Sequence, residues 1–204
     1  MCGLIASFDV KQIDYLYSIN QYRGSYSHSI TSFDVDNSNI IHVQKNKFEF
    51  QCNKLNQSEN YILLHSQAPT SLQKDDSIHP AKYNNTFLWH NGIIKDFEIN
   101  RIKQKYSIET LWDTELLLYE INDSFDNLSE INGSFSCFYH DSVDLFVFRN
   151  EICPLFIDSE LNISSVKFNG SKQIDPNIVF KLDLKNKVIR PHSTFKTKEN
   201  PYIL

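Results

Sequence analysis

A cysteine stands directly after the first methionine, in the opening stretch MCGLIASF. Methionine aminopeptidases remove an initiator methionine when the next side chain is small, which would leave Cys2 with a free α-amino group beside its own thiol. A thiol has an ordinary pKa of about 8.5 and an α-amino group one of about 7.7 to 8.0, so the amine is a suitable base for the thiol. Cys2 is therefore a candidate nucleophile that carries its own base. From position alone, a small residue on a buried strand is the alternative.

The composition limits the classes of protein to consider. With 204 residues and 41% hydrophobic content, the chain can bury one substantial core, and we expect a single domain over residues 1–204 with a loose tail at 195–204. The net charge of −5 argues against a nucleic-acid partner. No apolar run approaches the roughly 18 residues that cross a bilayer, and no signal peptide is recognisable, so we expect a cytoplasmic protein without a membrane partner.

Two segments have helical spacing of apolar residues, and most others alternate as strands do. One predicted helix covers residues 10–22 and ends at Gly24, where glycine tolerates a left-handed conformation. The other covers residues 113–121 behind Asp113, whose carboxylate can accept hydrogen bonds from the first turn. The predicted strands cover residues 40–43, 61–64, 86–90, 135–139, 145–149, 155–157 and 179–184. This pattern predicts an α+β protein with two antiparallel sheets and helices outside them.

Several short motifs follow one another in a recognisable order. They are MCGLIASF at 1–8, YRGSYS at 22–27, LHSQAPT at 64–70, HP at 79–80, HNGII at 90–94, DTE at 113–115, NGSFS at 132–136 and LFVFRNEICPLFID at 145–158. Together they resemble the glutaminase domain of class II glutamine amidotransferases, the N-terminal-nucleophile family that includes glucosamine-6-phosphate synthase and asparagine synthetase. The resemblance covers about residues 2 to 190. It implies the N-terminal-nucleophile hydrolase fold, a four-layer αββα sandwich of two antiparallel sheets.

The resemblance also implies a mechanism and the residues that carry it out. The Cys2 thiolate attacks the side-chain amide of glutamine, and the Asn91 carboxamide and the Gly92 backbone N–H donate to the resulting oxyanion. Asp113 matches the carboxylate that receives the substrate α-ammonium group. From the residues alone, Asn91-Gly92 has another interpretation, a hairpin turn between two strands.

Further matched positions are expected to organise the site. Arg23 matches an arginine near the nucleophile, and Thr70 matches a threonine that helps to hold the substrate carboxylate. A solvated helix-end arginine and an ordinary loop cap are the respective alternatives. His65, His79 and His90 are expected to pack and orient loops, since the nucleophile brings its own base. The resemblance implies no metal and no organic cofactor.

One position departs from the family pattern. Gln67 stands where family members usually have an arginine that grips the substrate α-carboxylate, so the charge is missing. Three explanations are open: another cation such as Arg23 or Lys74 supplies the charge, the substrate is a different amide, or turnover is lost.

The expected partners follow from these alternatives. The substrate is glutamine or a related amide, and the released ammonia goes to a separate synthetase subunit or to water. The alternatives to a glutaminase are an N-terminal-nucleophile amidase that acts on another amide and an inactive interaction subunit.

Overall fold

The computed structural model describes residues 2–47, 60–68 and 77–197. The strands in these ranges are β1 Gly3–Ser7, β2 Ser27–Phe33, β3 Ile40–Asn46, β4 Tyr61–Gln67, β5 Ala81–Tyr83, β6 Thr86–Ile94, β7 Gly133–His140, β8 Leu145–Arg149, β9 Phe156–Ile157, β10 Ile163–Ser164, β11 Lys172–Gln173, β12 Ile178–Asp183 and β13 Val188–Thr194. The α-helices are α1 Val10–Asn20, α2 Asp96–Tyr106 and α3 Asp113–Asp123, and two 3-10 helices cover Gln21–Arg23 and Phe125–Glu130.

The strands form two antiparallel sheets. The first sheet has the order β11-β9-β10-β1-β4-β2-β3, and the second has the order β13-β12-β8-β7-β6-β5. In the first sheet, β1 pairs with β4 so that Leu4 lies opposite His65. In the second, β6 pairs with β7 so that Asn91 lies opposite Ser136. The central strand pairs of both sheets thus bring together residues from distant parts of the chain.

The two sheets pack face to face. Leu4 and Leu63 of the first sheet and Trp89 and Phe138 of the second belong to one cluster of fully buried side chains. Phe33 of the first sheet meets the Trp89 ring edge-on, with centroids 5.8 Å apart. Burial of these large apolar surfaces stabilises the sandwich.

Helices cover the outer face of each sheet. Helix α1 packs Ile13 and Leu16 against Ile5 and Ile62 of the first sheet. On the second sheet, α2 and α3 cover a cluster that includes Ile102, Leu116, Leu117, Leu88, Ile94 and Phe135. The predicted four-layer αββα sandwich is therefore confirmed.

Helix α2 was not among the predicted elements. Its sequence DFEINRIKQKY offers only Ile102 as a fully buried apolar residue, so apolar spacing does not reveal it. Ion pairs also attach the helix, since Arg101 contacts the buried Glu120 of α3 at 3.1 Å and Lys105 contacts the same carboxylate at 2.6 Å. In the described part of the chain, no helix is long and apolar enough to span a membrane.

Two local expectations need correction. Gly24 does follow the first helix, but its φ of 179° is extended and not left-handed. Glycine is required there because an added Cβ would come within 2.5 Å of the Ala68 backbone nitrogen. The loose tail does not begin at Phe195, since that ring is 7% exposed and lies 5.8 Å from the Phe135 ring. Residues 198–204 lie outside the described ranges.

Candidate active site

The layer between the two sheets changes character along its length. Its apolar part consists of Leu4, Leu63, Trp89, Phe138 and Val147. Side chains alternate along a strand, so Gln67 lies on the same face as Leu63, Asn91 on that of Trp89 and Ser136 on that of Phe138. We call the group Cys2, Ser27, Gln67, Asn91, Ser136 and Cys153 the polar end of this layer. All six residues are buried.

Cys2 lies at the polar end, immediately before β1. Its Sγ lies 3.8 Å from the backbone oxygen of Ala68, and the residue is 6% exposed. The Arg23 Nε donates a hydrogen bond of 2.9 Å to the Cys2 backbone oxygen. The thiol is thus positioned by the end of β4 and by the 3-10 turn after α1, and among the described residues the Sγ makes a single, weak hydrogen bond.

Burial governs the acidity of this thiol. It raises the pKa of Cys2 to about 11, while the backbone contact with Ala68 and the charge of Arg23 act in the opposite direction and Asp113 adds to the rise. A thiol with this pKa is protonated at neutral pH and is a poor nucleophile without a base. In the chain that still carries Met1, the thiol is therefore unreactive.

Asn91 and Gly92 lie in the interior of β6, so the hairpin-turn interpretation is wrong. Gly92 has a φ of +153°, and an added Cβ would come within 1.8 Å of the Ser134 backbone oxygen. Only glycine fits this strand position. The Asn91 side chain is fully buried, and its Oδ1 has no hydrogen-bond partner in the described part of the chain.

Arg23 and Cys153 connect these two groups. The Arg23 guanidinium lies close enough to both Cys2 and Cys153 to favour their thiolate forms, although burial raises the pKa of each thiol overall. The Cys153 Sγ in turn donates to the Asn91 backbone oxygen at 3.1 Å. Arg23 thus lies near both thiols, and Cys153 in turn contacts Asn91.

Gln67 does not present a charge to the site, and its carboxamide bonds to neighbouring groups. Its Oε1 accepts a hydrogen bond of 2.9 Å from the Ser27 hydroxyl, and its Nε2 donates at 2.8 Å to the Ser77 backbone oxygen. The His79 Nδ1 lies 3.4 Å from the same Oε1. The side chain is fully buried and holds β2, β4 and the segment before β5 together.

Three histidines link β4, the segment before β5, β6 and α3. The rings of His65 and His79 stack with centroids 3.8 Å apart, and the His65 Nε2 lies 3.1 Å from the His90 backbone oxygen. His79 and His90 share the Thr114 hydroxyl at 3.0 and 3.3 Å. Burial lowers the pKa of His65 to about 3 and also lowers the pKa values of His79 and His90. Burial therefore favours the neutral form of all three rings, and their contacts join β4, the segment before β5, β6 and α3.

Asp113 is the first residue of α3 and not its cap, which is Trp112. The Asp113 Oδ1 accepts a hydrogen bond of 2.8 Å from the Thr114 backbone N–H, and Oδ2 lies 3.4 Å from the Ile94 nitrogen. Its side chain is 20% exposed, so the carboxylate reaches the surface. It can receive a cation there while it remains bound to the helix start.

Comparisons with solved structures identify this architecture. The chain is similar to a glutamine PRPP amidotransferase from B. subtilis, with 15% identity, a TM-score of 0.67, and coverage of 94% of this chain and 49% of that chain. A structure described as the allosteric regulatory enzyme of purine biosynthesis gives 15% identity, a TM-score of 0.68, and 94% and 48% coverage. The chain has the fold of class II glutamine amidotransferases. No family model matches the sequence, and no curated protein matches it.

This amidotransferase fold is also present in a shorter protein. A glutamine aminotransferase class-II domain protein from Silicibacter pomeroyi gives 11% identity, a TM-score of 0.51, and coverage of 95% of this chain and 98% of that chain. The chain thus spans about half the length of the first two structures and nearly all of the third. At these identities, the likeness establishes the fold alone.

Within this amidotransferase fold, most of the predicted site residues come together. Cys2, Arg23, Gln67 and Asn91 are buried at or beside the polar end, and Asp113 lies next to them at the start of α3. Thr70 and Lys74 lie outside the described residues. No group of three potential metal ligands occurs in residues 2–47, 60–68 and 77–197.

Sequence reasoning missed Ser27, Thr114, Ser136 and Cys153 at the site. Ser136 lies inside the NGSFS motif and Cys153 inside LFVFRNEICPLFID, so both belong to motifs that carry the family resemblance. Their contacts depend on which strand pairs with β6 and in which register, and no local signal in the sequence specifies that.

Proposed function

We propose that this chain is a cysteine-dependent amide hydrolase of the glutamine amidotransferase type. Removal of Met1 exposes the Cys2 α-amino group, which takes the proton of the thiol directly or through a water. The thiolate attacks the side-chain carbon of glutamine, and the tetrahedral oxyanion receives hydrogen bonds from Asn91 and Gly92. The Arg23 guanidinium helps to stabilise the thiolate in its buried position.

The rest of the reaction conserves atoms and charge. The protonated α-amino group returns its proton to the leaving nitrogen, the carbon–nitrogen bond breaks, and ammonia leaves a γ-glutamyl thioester on Cys2. Water then attacks the thioester with the α-amino group as base, and glutamate and free Cys2 result. Asp113 holds the substrate α-ammonium group during both steps.

The position of Asn91-Gly92 is the observation that carries this proposal. A dipeptide that normally makes turns lies in the interior of a strand. Its glycine has a conformation that no other residue fits, and its buried carboxamide oxygen has no hydrogen-bond partner in the part of the chain that the structure describes. A strained glycine conformation and a buried polar atom without a partner both lower the stability of the fold. Such features are typically found at functional sites.

Labelling with 6-diazo-5-oxo-norleucine tests the assignment of Cys2. The thiolate of a glutamine-directed nucleophile displaces nitrogen from this analogue and forms a stable thioether. We expect one adduct on Cys2 of the processed protein, none on Cys2→Ala, and an unchanged adduct on Cys137→Ala, which removes a buried thiol on the helix-covered face. Equal labelling of Cys2→Ala contradicts the proposal, as does retention of Met1 in a cell with active methionine aminopeptidase.

Gln67 favours a second candidate, hydrolysis of an amide without a free α-carboxylate. Its neutral carboxamide bonds to Ser27 and Ser77 and brings no cation to the site. A charge-assisted hydrogen bond contributes about 1.5 to 3 kcal/mol, against about 1 for a neutral one, so free glutamine loses affinity if no other cation compensates. Relative kcat/KM on glutamine, glutaminamide and N-acyl amides distinguishes the two candidates. A preference for free glutamine excludes the second.

The ammonia is proposed to pass to a separate synthetase. Glutaminase activity that rises when a candidate synthetase and its acceptor are added supports this assignment, whereas equal release of ammonia to water in both conditions contradicts it. A processed wild-type protein that is fully folded but forms no adduct with 6-diazo-5-oxo-norleucine indicates an inactive interaction subunit.

A further inference from the structure

The buried carboxamide of Asn91 has two sides with different surroundings. Its Nδ2 lies 3.4 Å from the Ser136 hydroxyl and 3.3 Å from the Cys153 Sγ. Its Oδ1 has no partner in the described ranges, although the side chain is fully buried. Each terminal atom needs a partner when it is buried, so the unpaired side is where a ligand atom completes the carboxamide.

The two orientations of this carboxamide, related by a half-turn about its last bond, have opposite consequences. In the observed orientation the carbonyl oxygen occupies the unpaired side, and it would repel an oxyanion. After the half-turn, the Ser136 hydroxyl donates to Oδ1, and the NH₂ group occupies the unpaired side as a donor. Only the second orientation suits the role that the proposed function gives to Asn91.

Cys153 makes the half-turn feasible. Its S–H group is directed at the Asn91 backbone oxygen at 3.1 Å, so the thiol does not compete with Ser136 as a donor to Oδ1. The Asn150 Oδ1 accepts a hydrogen bond of 3.3 Å from the backbone N–H of Cys153. This bond keeps the loop that carries Cys153 against β7. In the observed orientation the Ser136 hydroxyl accepts from Asn91 and donates to the Cys153 Sγ at 3.5 Å. After the half-turn its proton is redirected from the Cys153 Sγ to the Asn91 Oδ1, so one hydroxyl serves both orientations.

We infer that Ser136 is a positioning residue, whose hydroxyl donates to the Asn91 carboxamide oxygen and thereby directs the Asn91 NH₂ group at the oxyanion, while Cys153 holds the Asn91 backbone. This inference rests on the proposed function. Ser136 touches neither substrate nor nucleophile in this scheme, and it acts through Asn91.

A double-mutant cycle tests the inference. Ser136→Ala should lower kcat about 10- to 100-fold with KM nearly unchanged, because the misdirected carboxamide fails only when the oxyanion forms. In an Asn91→Ala background, the same substitution should have no further effect on kcat. Ser136→Thr, which keeps a hydroxyl, should recover most of kcat. Ser29→Ala is the matched control, since Ser29 is equally buried on the facing sheet and its Oγ has no partner within the described residues.

A structure of the diazo-oxo-norleucine adduct gives a second readout that does not depend on the folding of a variant. Its ketone oxygen should lie within hydrogen-bond distance of the Asn91 NH₂, with the carboxamide oxygen at the Ser136 hydroxyl. Additive effects of Ser136→Ala and Asn91→Ala, or unchanged kcat in Ser136→Ala, overturns the inference alone. An adduct oxygen away from Asn91 overturns both the inference and the proposed oxyanion role of Asn91. A wild-type protein that neither hydrolyses amides nor forms the adduct overturns the proposed function as well.

Discussion

The apolar part and the polar end of the inter-sheet layer are both buried, but they differ in the interactions that their side chains need. Leu63 and Phe138 gain stability from packing alone, whereas Gln67 and Asn91 lose contact with water and need specific partners. Gln67 finds those partners among protein groups, whereas the Asn91 Oδ1 has none among the described residues. The apolar part therefore provides stability, and the polar end uses some of it to hold reactive groups in place.

The largest effect that separates the two regions is expected for Cys2→Ala at the polar end. Loss of the nucleophile should lower ammonia release by about 10³-fold or more. The free energy of unfolding should change by less than about 1 kcal/mol, because the substitution removes one small atom whose single hydrogen bond among the described residues, to Ala68, is weak. Ammonia release and urea unfolding measure the two quantities. Residual turnover above one-tenth of wild type contradicts the division of roles.

Leu63→Ala in the apolar part should show the reverse pattern. A fully buried leucine lost from this cluster should lower the free energy of unfolding by about 2 to 5 kcal/mol. Cys2 should still form the adduct at temperatures well below Tm. Ile41→Ala is the control, since Ile41 is 53% exposed and its loss should cost within about 0.5 kcal/mol. Equal costs at the two positions would refute the comparison.

Acid should act on the histidine cluster beside the polar end, because burial lowers the pKa of His65 to about 3. The unfolded chain binds a proton at this histidine below about pH 6.5, whereas the folded protein does not, so stability falls as the pH drops. The expected slope is at most about 1.4 kcal/mol per pH unit for His65, with further contributions from His79 and His90, whose pKa values are also lowered.

Urea unfolding between about pH 6.5 and about pH 4.5 measures that slope. A His65→Gln variant should unfold with a shallower pH dependence, because one of the suppressed protonations is removed. An identical slope in wild type and variant contradicts the assignment of acid sensitivity to this cluster.

The smallest effect concerns the chemistry of the Cys2 thiol itself. Because burial raises its pKa to about 11 in the Met1-containing chain, alkylation by iodoacetamide should rise about tenfold per pH unit from about pH 7 to about pH 10. Mass spectrometry of the modified peptide follows the rate. A plateau below about pH 8.5 shows that the thiol is not suppressed by burial.

Apolar patterns in the sequence were enough to predict the layers. The runs at 61–64, 86–90, 135–139 and 145–149 all lie within observed strands, and α3 begins at Asp113 as predicted. Helix α2 was missed because it buries few apolar side chains and is also held by ion pairs to Glu120. Strand β2, with the sequence SHSITSF, was missed because three of its inward-facing residues, Ser27, Ser29 and Thr31, are polar and only Phe33 is apolar.

The sequence by itself determined the candidate nucleophile and the special dipeptide, since a cysteine at position 2 and the motif order around Asn91-Gly92 are local features. Only the tertiary structure decided that Gln67 is bonded within the protein and that Ser136 and Cys153 surround the Asn91 carboxamide. The physical reason is strand register. Residue types and spacing specify which face a side chain takes along its own strand, whereas its neighbours depend on pairing between segments far apart in the chain.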